Sequence, residues 1–494
     1  MKLLCLLFLG ATCLALAEGV MVCYFGSWAK YRWGDGTFDV ENIDPAICTH
    51  IVFGFAGIDE ATHEIQPLDP YNELCENWGK CAYDRFTALK EKNTNLQALL
   101  AVGGWNEGSE KYSVMAADSA KRKIFIDSSI ALLKAHNFDG LDMDWEYPAF
   151  RGGQPHDREN FVTLLQELRE ALHAEGMIIT AAVGAGKDKM DEGYDIARVA
   201  ANLDFVNLMT YDLHGAWDPY THHHSPLYAH PQDRFNNNSY LNVDFAVNYW
   251  LDHGTPKEKL VVGVPLYGRC WTLDSEADTG FYAKASQPGT AGKYTNQAGF
   301  MGYNEICESQ LEKEWQVVYD TAMHEPYAYS FSHSRIWCSY EDALSAGIKA
   351  KYIRDKGLAG VMIWSIETDD FKGKCHGRTF HLTKTLYETF LGGDIPQPPT
   401  MEPKPQTTLS PDVSVGPRTT YNPPPPEGIC QRPGNNPDPE DCTHYFQCAE
   451  GPNGKYEQAE EKCPAGLLFN PVALICDWDY SVCALDGNVC PNNC

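Results

Sequence analysis

Over the first three quarters of the chain, short runs of β-branched and aliphatic residues alternate with amphipathic stretches of helical period. The runs predict strands at 20–24, 50–55, 96–102, 140–144, 178–182, 205–210, 260–265 and 360–364. One intervening helix is sharply defined. Phe161, Leu164, Leu165, Leu168 and Leu172 share a face, with Asp157 placed to cap its start and Gly176 to end it. Eight strands alternating with helices over about 370 residues predict an α/β fold, a (β/α)8 TIM barrel whose active residues sit at the carboxyl ends of the strands. The seventh unit is too long for a plain loop. Roughly ninety residues separate Val264 from the Gly360 strand, so a subdomain is expected there, at about 270–350.

The periodic pattern stops between 392 and 428, where eleven of the thirty prolines fall, four of them consecutive at 423–426. Such a stretch builds no core and predicts an extended linker. Thr407, Thr408, Ser410, Thr419 and Thr420 give it the composition of an O-glycosylated spacer. Residues 429–494 then pack eight cysteines among Tyr445, Phe446, Phe469, Trp478 and Tyr480, which predicts a small β module held by bridges in place of a large core. At the other end, Met1 and Lys2 precede an apolar run at 3–15, and Ala15-Leu16-Ala17 offers small residues for cleavage. Residues 1–17 are expected to be a signal peptide, because the run is shorter than the ~20 residues that span a bilayer. Its removal discards Cys5 and Cys13 and leaves sixteen cysteines, an even number suited to disulfides in a secreted, extracellular protein. The folded barrel is thus expected over 18–391.

Charge narrows the partners. Lys plus Arg total 39 against 67 Asp plus Glu, a net charge of −28 that repels a phosphate backbone and anionic membranes. No nucleic acid or membrane partner is expected; a neutral one is easier to accommodate.

The strongest chemical signal is Phe138-Asp139-Gly140-Leu141-Asp142-Met143-Asp144-Trp145-Glu146. On a strand, Asp142, Asp144 and Glu146 line one face and Leu141, Met143 and Trp145 the other. Three carboxyls spaced about 6 to 7 Å apart inside a barrel cannot all ionise cheaply, so at least one pKa should rise and supply a proton donor. A solvated edge strand and a Mg²⁺ or Ca²⁺ carboxylate cluster are the alternatives to this reading.

This run resembles the DGxDxDxE signature of family 18 glycoside hydrolases, the retaining chitinases. Further segments are similar, in order along the chain: Tyr24-Phe25-Gly26-Ser27-Trp28, Gly103-Gly104-Trp105, Met209-Thr210-Tyr211-Asp212, Pro265-Leu266-Tyr267-Gly268-Arg269 and the stretch 360–371. The resemblance implies that the excess in the seventh unit is an α+β insertion deepening the cleft. It makes Glu146 the general acid for an endo-acting β-1,4-N-acetylglucosamine hydrolase in which the substrate's own 2-acetamido oxygen is the nucleophile. Asp144 would orient the acetamido group with Asp142 sharing charge behind it, Tyr211 would hydrogen-bond its carbonyl, and Asp212 and Met209 would adjoin the sugar. Loss of Glu146 turns the family barrel into a lectin, which is the alternative function. Trp28, Trp105, Trp217 and Trp364 offer stacking faces, Trp364 as the floor of the cleaving subsite, with Tyr267 and Arg269 adding polar contacts. No cofactor or metal is needed for this reaction, and a monomer is expected.

The tail resembles the peritrophin-type chitin-binding module of invertebrates through Cys463-Pro464-Ala465-Gly466-Leu467-Leu468-Phe469 and Cys476-Asp477. That implies Cys430–Cys448, Cys442–Cys483 and Cys463–Cys476 bridges and chitin contacts from Tyr445, Phe446 and Trp478, with Cys490–Cys494 departing from the pattern. In the barrel, Cys23–Cys48 and Cys307–Cys375 match family bridges; Cys75–Cys81 is a local pairing and Cys270–Cys338 the remainder. His222-His223-His224 has metal-ligand chemistry, but a run before Ser225-Pro226 is expected on an exposed loop. Asn237-Asn238-Ser239 is a glycosylation sequon on Asn237.

Overall fold

Eight parallel strands close on themselves: β1 (Val20–Gly26), β2 (His50–Ile58), β3 (Gln97–Gly103), β4 (Gly140–Asp144), β5 (Ile178–Gly184), β6 (Phe205–Met209), β7 (Leu260–Pro265) and β8 (Gly360–Trp364). Each pairs with its sequence neighbour, and β1 pairs with both β2, through Val22 opposite His50, and β8, through Val20 opposite Gly360. The computed structural model describes residues 19–233, 236–311 and 314–396, and in the tail 434–437, 443–450, 456–463, 467–470 and 475–478. The leader at 1–17 and most of the linker lie outside them. Among the described residues no helix is long and apolar enough to cross a membrane.

Period-two alternation sorts each strand into two layers. Val22, Tyr24, Val52, Leu99, Ala101, Val261 and Met362 pack inside the barrel. Their neighbours Met21, Cys23, Ile51, Leu100, Leu141, Met143 and Val262 face the surrounding helices in the larger outer core. Helix Asp157–Ala174 buries Phe161, Leu164, Leu165, Leu168 and Leu172 against that outer layer. Its start differs from the expected cap. The N-cap is His156 with no side-chain bond, and Asp157 is the first helical residue, buried, accepting from Gln154 N at 2.6 Å and Ser113 Oγ at 2.7 Å. A carboxylate one residue inside still meets the positive end of the helix, while also tying the helix to its neighbour. Gly176, at φ +75°, turns the chain out of the helix as only glycine does without strain. Leu168 is fully buried, so Leu168→Ala should destabilise the barrel by about 2 to 5 kcal/mol. A chemical-denaturation midpoint that does not move would contradict this packing.

After β7 the chain leaves the barrel into an antiparallel sheet in which Tyr267–Thr272 pairs with Ile336–Ser339, and Glu325–Ser330 with both Ile336–Ser339 and Gln316–Asp320. With helix Tyr303–Gln310 this forms an α+β insertion with its own core of Trp271, Leu273, Tyr327 and Trp337. Disulfides join Cys23 to Cys48, Cys75 to Cys81, Cys270 to Cys338 and Cys307 to Cys375. A second unit, from Thr400 onward, contains a three-stranded antiparallel sheet (Gly434–Pro437, His444–Glu450, Tyr456–Lys462) and a two-stranded one (Leu467–Asn470, Ile475–Trp478). Cys463 is disulfide-bonded. The pairings expected of Cys430, Cys442, Cys448, Cys476, Cys483, Cys490 and Cys494, and the side chain of Trp478, lie outside what is described. Tyr445 is half-buried and Phe446 nearly buried.

Candidate active site

β4 delivers the acids. Asp142 and Asp144 point into the barrel while Leu141, Met143 and Trp145 join the outer core, so the alternation places apolar and acidic sets on opposite faces. Gly103 and Gly104, at φ +122° and +84°, let the end of β3 close onto the same place. A Cβ on Gly103 would lie 2.3 Å from the Asp144 carbonyl oxygen, which instead accepts the Gly104 N–H at 2.8 Å.

Asp142 and Asp144 have unlike surroundings although both are buried. Asp142 accepts from the Tyr24 hydroxyl at 2.6 Å, from the Thr180 hydroxyl, and from Asn207 Nδ2 at 3.3 Å. Burial raises its pKa, and those three donors oppose the rise by favouring the carboxylate. Asp144 has no such support, and its Oδ1 is without a hydrogen-bond partner. Burial, then the charges of Asp142 and Glu146, push it well above the usual range. Glu146, one residue past the strand partner Trp145 and half-buried, is pushed up to about 7, mainly by burial, with Tyr147 and Arg151 pulling against it and the Asp212 charge adding to it. Glu146, which binds its proton near neutrality, and Asp144, pushed upward by burial, thus stand at the mouth of the barrel, with a third, strongly hydrogen-bonded carboxyl beneath them.

The wall opposite comes from β6 and the insertion. Tyr211 follows β6 and packs edge-on to Tyr267, its hydroxyl 3.7 Å from Met362 Sδ. Asp212 takes a bidentate ion pair from Arg269, Nε to Oδ1 at 2.7 Å and Nη2 to Oδ2 at 2.5 Å, and a 2.6 Å bond from the Tyr267 hydroxyl. The Arg269 guanidinium, with His224, holds this carboxyl far below the ordinary value against the effect of burial. Arg269 also lies 5.2 Å from the ring centre of the exposed Trp217. Met209, at the end of β6, faces the barrel interior with Met362.

Aromatic rings floor and rim the opening. Trp364, half-buried at the end of β8, stacks on Phe55 at 5.7 Å and stands 6.2 Å from Trp28. Glu367 locks this end of β8 to β1, accepting from Gly26 N at 3.2 Å and Ser365 Oγ at 2.6 Å. Trp105 is exposed and carries the Arg151 guanidinium 3.6 Å from its ring centre; Arg151 Nη1 also bonds the carbonyls of Trp105 and Glu146 at 2.8 and 3.0 Å.

The histidine run departs from expectation. His222, His223 and His224 are fully buried under the insertion instead of lying on an exposed loop. Each stands against a different acid: His222 Nε2 is 3.1 Å from Asp233, His223 Nδ1 is 3.7 Å from Glu325, and His224 Nδ1 is 3.7 Å from Asp212. His222 Nε2 meets Asp233 and His223 Nδ1 meets Ser339 Oγ at 3.2 Å, and burial favours the neutral imidazole at His223 and His224, which lowers the cost of enclosing them. Because they diverge onto separate acids they form no common ligand set. Among the described residues the grouping with ligand spacing is Cys307, Asp370 and Cys375, and its two sulfurs are bonded to each other.

Comparison with known proteins decides the family. Residues 20–369 match "Glycosyl hydrolases family 18", a stretch holding every barrel strand and every site residue above. The chain belongs to family 18 of the glycosyl hydrolases. Its tail, 430–483, matches the "Chitin binding Peritrophin-A domain". Among family 18 relatives, "Probable chitinase 2" of Drosophila melanogaster is 41% identical over 383 residues, 76% of each chain. Mouse chitotriosidase-1 is 36% identical over 470 residues, covering 93% of this chain and 95% of its own. In structure, the Ostrinia furnacalis Group IV chitinase in complex with allosamidin superposes with a TM-score of 0.72 at 43% identity, over 76% of this chain and 99% of that one. Human YKL-39, described as a pseudo-chitinase with retained chitooligosaccharide binding, superposes at 0.69 and 37% identity, over 76% and 100%.

Several groups in this family 18 site escape a sequence reading. Tyr24, Thr180 and Asn207 come from three different strands to surround Asp142, Arg151 and His224 act from loops, and Glu367 acts from the 3-10 turn Ile366–Thr368. The available signal was a polar residue at an inward strand position, as Thr180 and Asn207 are.

Proposed function

We propose that this family 18 protein is a secreted endochitinase that cleaves β-1,4 links between N-acetylglucosamine units by substrate-assisted retention. The observation that carries it is the pairing of Glu146, held near neutral pKa, with Asp144, whose buried Oδ1 has no partner. Glu146 gives its proton to the glycosidic oxygen as that bond breaks. The acetamido carbonyl oxygen closes on the anomeric carbon to form an oxazolinium, and Glu146, now a carboxylate, takes a proton from the water that opens it. Asp144 Oδ1 accepts the acetamido N–H, and as the ring becomes positive Asp144 passes its proton to Asp142, so that the Asp144 carboxylate balances the oxazolinium while Asp142 shares the proton behind it. Tyr211 is placed to donate to the acetamido oxygen, Asp212 and Arg269 to hold the neighbouring sugar, and Trp28, Trp105, Trp217 and Trp364 to stack on rings. All these groups lie on one chain, which supports action as a monomer.

The apolar leader and the cysteine usage support secretion, and the exposure of Asn237 on its turn supports its carrying a glycan. The stretch 392–428 is read as a tether that keeps a chitin-binding tail near the barrel and raises its effective concentration at a solid surface. Hydrolysis of chitotetraose followed by proton NMR tests the mechanism: the first-formed product should be the β anomer. Initial α anomer would mean inversion. No turnover, with oligosaccharide binding retained, would move the protein to the lectin class that YKL-39 represents.

A further inference from the structure

Trp78 is the most exposed large apolar side chain among the described residues, at 93%. It sits among the five residues, 76–80, that the Cys75–Cys81 disulfide closes into a loop. The loop is tight: Gly79 N bonds Glu76 O at 2.9 Å and Cys81 N bonds Leu74 O at 2.9 Å, and a Cβ on Gly79 would meet the Leu74 carbonyl oxygen at 2.1 Å. Asn77, Trp78 and Cys81 all adopt left-handed backbone conformations, at φ +51°, +65° and +56°. For a residue as bulky as tryptophan this is an outlier, and such strain persists where the surrounding structure enforces it, often at ligand contacts. Here the closed loop holds the backbone in that conformation, and the indole it displays is in solvent.

The loop is continuous with the cleft. Trp28, at its rim, and Tyr31 lie one turn apart on the 3-10 helix Ser27–Tyr31, where side chains three residues apart eclipse. The Tyr31 hydroxyl bonds Asp69 at 2.6 Å. Asp69 caps the short helix carrying Tyr71, and Tyr71 O accepts from Lys80 N at 2.8 Å, with Lys80 Nζ 5.3 Å from the Tyr71 ring centre. Tyr31 and Tyr71 are 54% and 52% exposed. Exposed rings thus lead from the cleft rim to the disulfide loop.

We propose that Trp78, displayed by the Cys75–Cys81 loop, is an outlying stacking platform for a chitin chain that runs out of the cleft over Trp28, Tyr31 and Tyr71. The occupant is argued from three features: continuity with a cleft of a chitinase family, a flat apolar face open to solvent, and rings that suit the uncharged faces of a sugar polymer. The inference rests on the chitin-directed reading above. It gives the cleft a grip on long chains that short ones never reach.

The test uses the full chain carrying Glu146→Gln, so that bound polymer stays intact, with and without Trp78→Ala, titrated with soluble glycol chitin and with chitotriose by calorimetry. The tail is identical in every arm. Trp78→Ala should weaken glycol chitin binding about three- to tenfold and leave chitotriose affinity unchanged, and Trp78→Phe should restore most of the loss. Unchanged affinity for glycol chitin would overturn the proposal. Equal loss on both ligands would also overturn it, by showing that the loop supports the cleft itself. Turnover of chitotetraose by the otherwise unaltered chain judges the hydrolase reading separately, since binding in the Glu146→Gln background does not depend on it.

Discussion

Glu146→Gln should lower hydrolysis of chitooligosaccharides by at least ~10²-fold, the smaller end of what losing a positioned acid costs. The amide keeps the size of the side chain and removes the proton, so oligosaccharide affinity should stay within about threefold. The pH profile gives a sharper reading. Burial pushes Glu146 up to about 7, so the acid form dominates below that pH and is lost above it. The native kcat/KM should therefore hold on the acid side and fall toward tenfold per unit beyond about pH 7. Residual activity in the variant should lack that limb, because no proton is left to titrate there. Near-native turnover of unactivated oligomers by Glu146→Gln would remove it from the acid role.

The barrel was legible because its signal is local and repeated. All eight strands follow from aliphatic runs, and the β4 acids follow from alternation alone, since Leu141 and Met143 could bury only one way. What stayed hidden depends on closure. Nothing near Asp142 in sequence points to Tyr24, 118 residues away, because the two meet only when β1 and β4 face each other across the barrel. The histidine run misled for a related reason. Composition makes three adjacent imidazoles look like solvent-facing polarity, yet Ser339 arrives from the insertion, 116 positions beyond His223, to meet its Nδ1 once both are buried. Asp157 shows the finer limit: its helix was found, but whether it caps from outside or binds Ser113 from the first turn turns on one residue of register.

Asp144→Asn should separate catalysis from stability in opposite directions. Asparagine retains an oxygen able to accept the acetamido N–H, so KM should change little. It cannot carry the negative charge that faces an oxazolinium, so kcat should fall by about 10² to 10³-fold, as when a charge-stabilising group is lost from a preorganised site. Stability should move the other way. Burial and the charges of Asp142 and Glu146 raise the folded-state pKa of Asp144 well above its unfolded value, so the folded chain holds a proton there that the unfolded chain releases. Stability from this group is accordingly complete below the unfolded pKa, near 4, and is lost as pH rises toward the folded value. Asparagine has no proton to exchange. The variant should melt higher than the native protein at pH 7, and the difference should shrink as the pH is lowered to about 4. Thermal melts at the two pH values, beside kcat and KM on chitotetraose, check both halves. A fall in melting temperature that accompanies the fall in kcat would make Asp144 a structural carboxyl and take the acetamido group away from it.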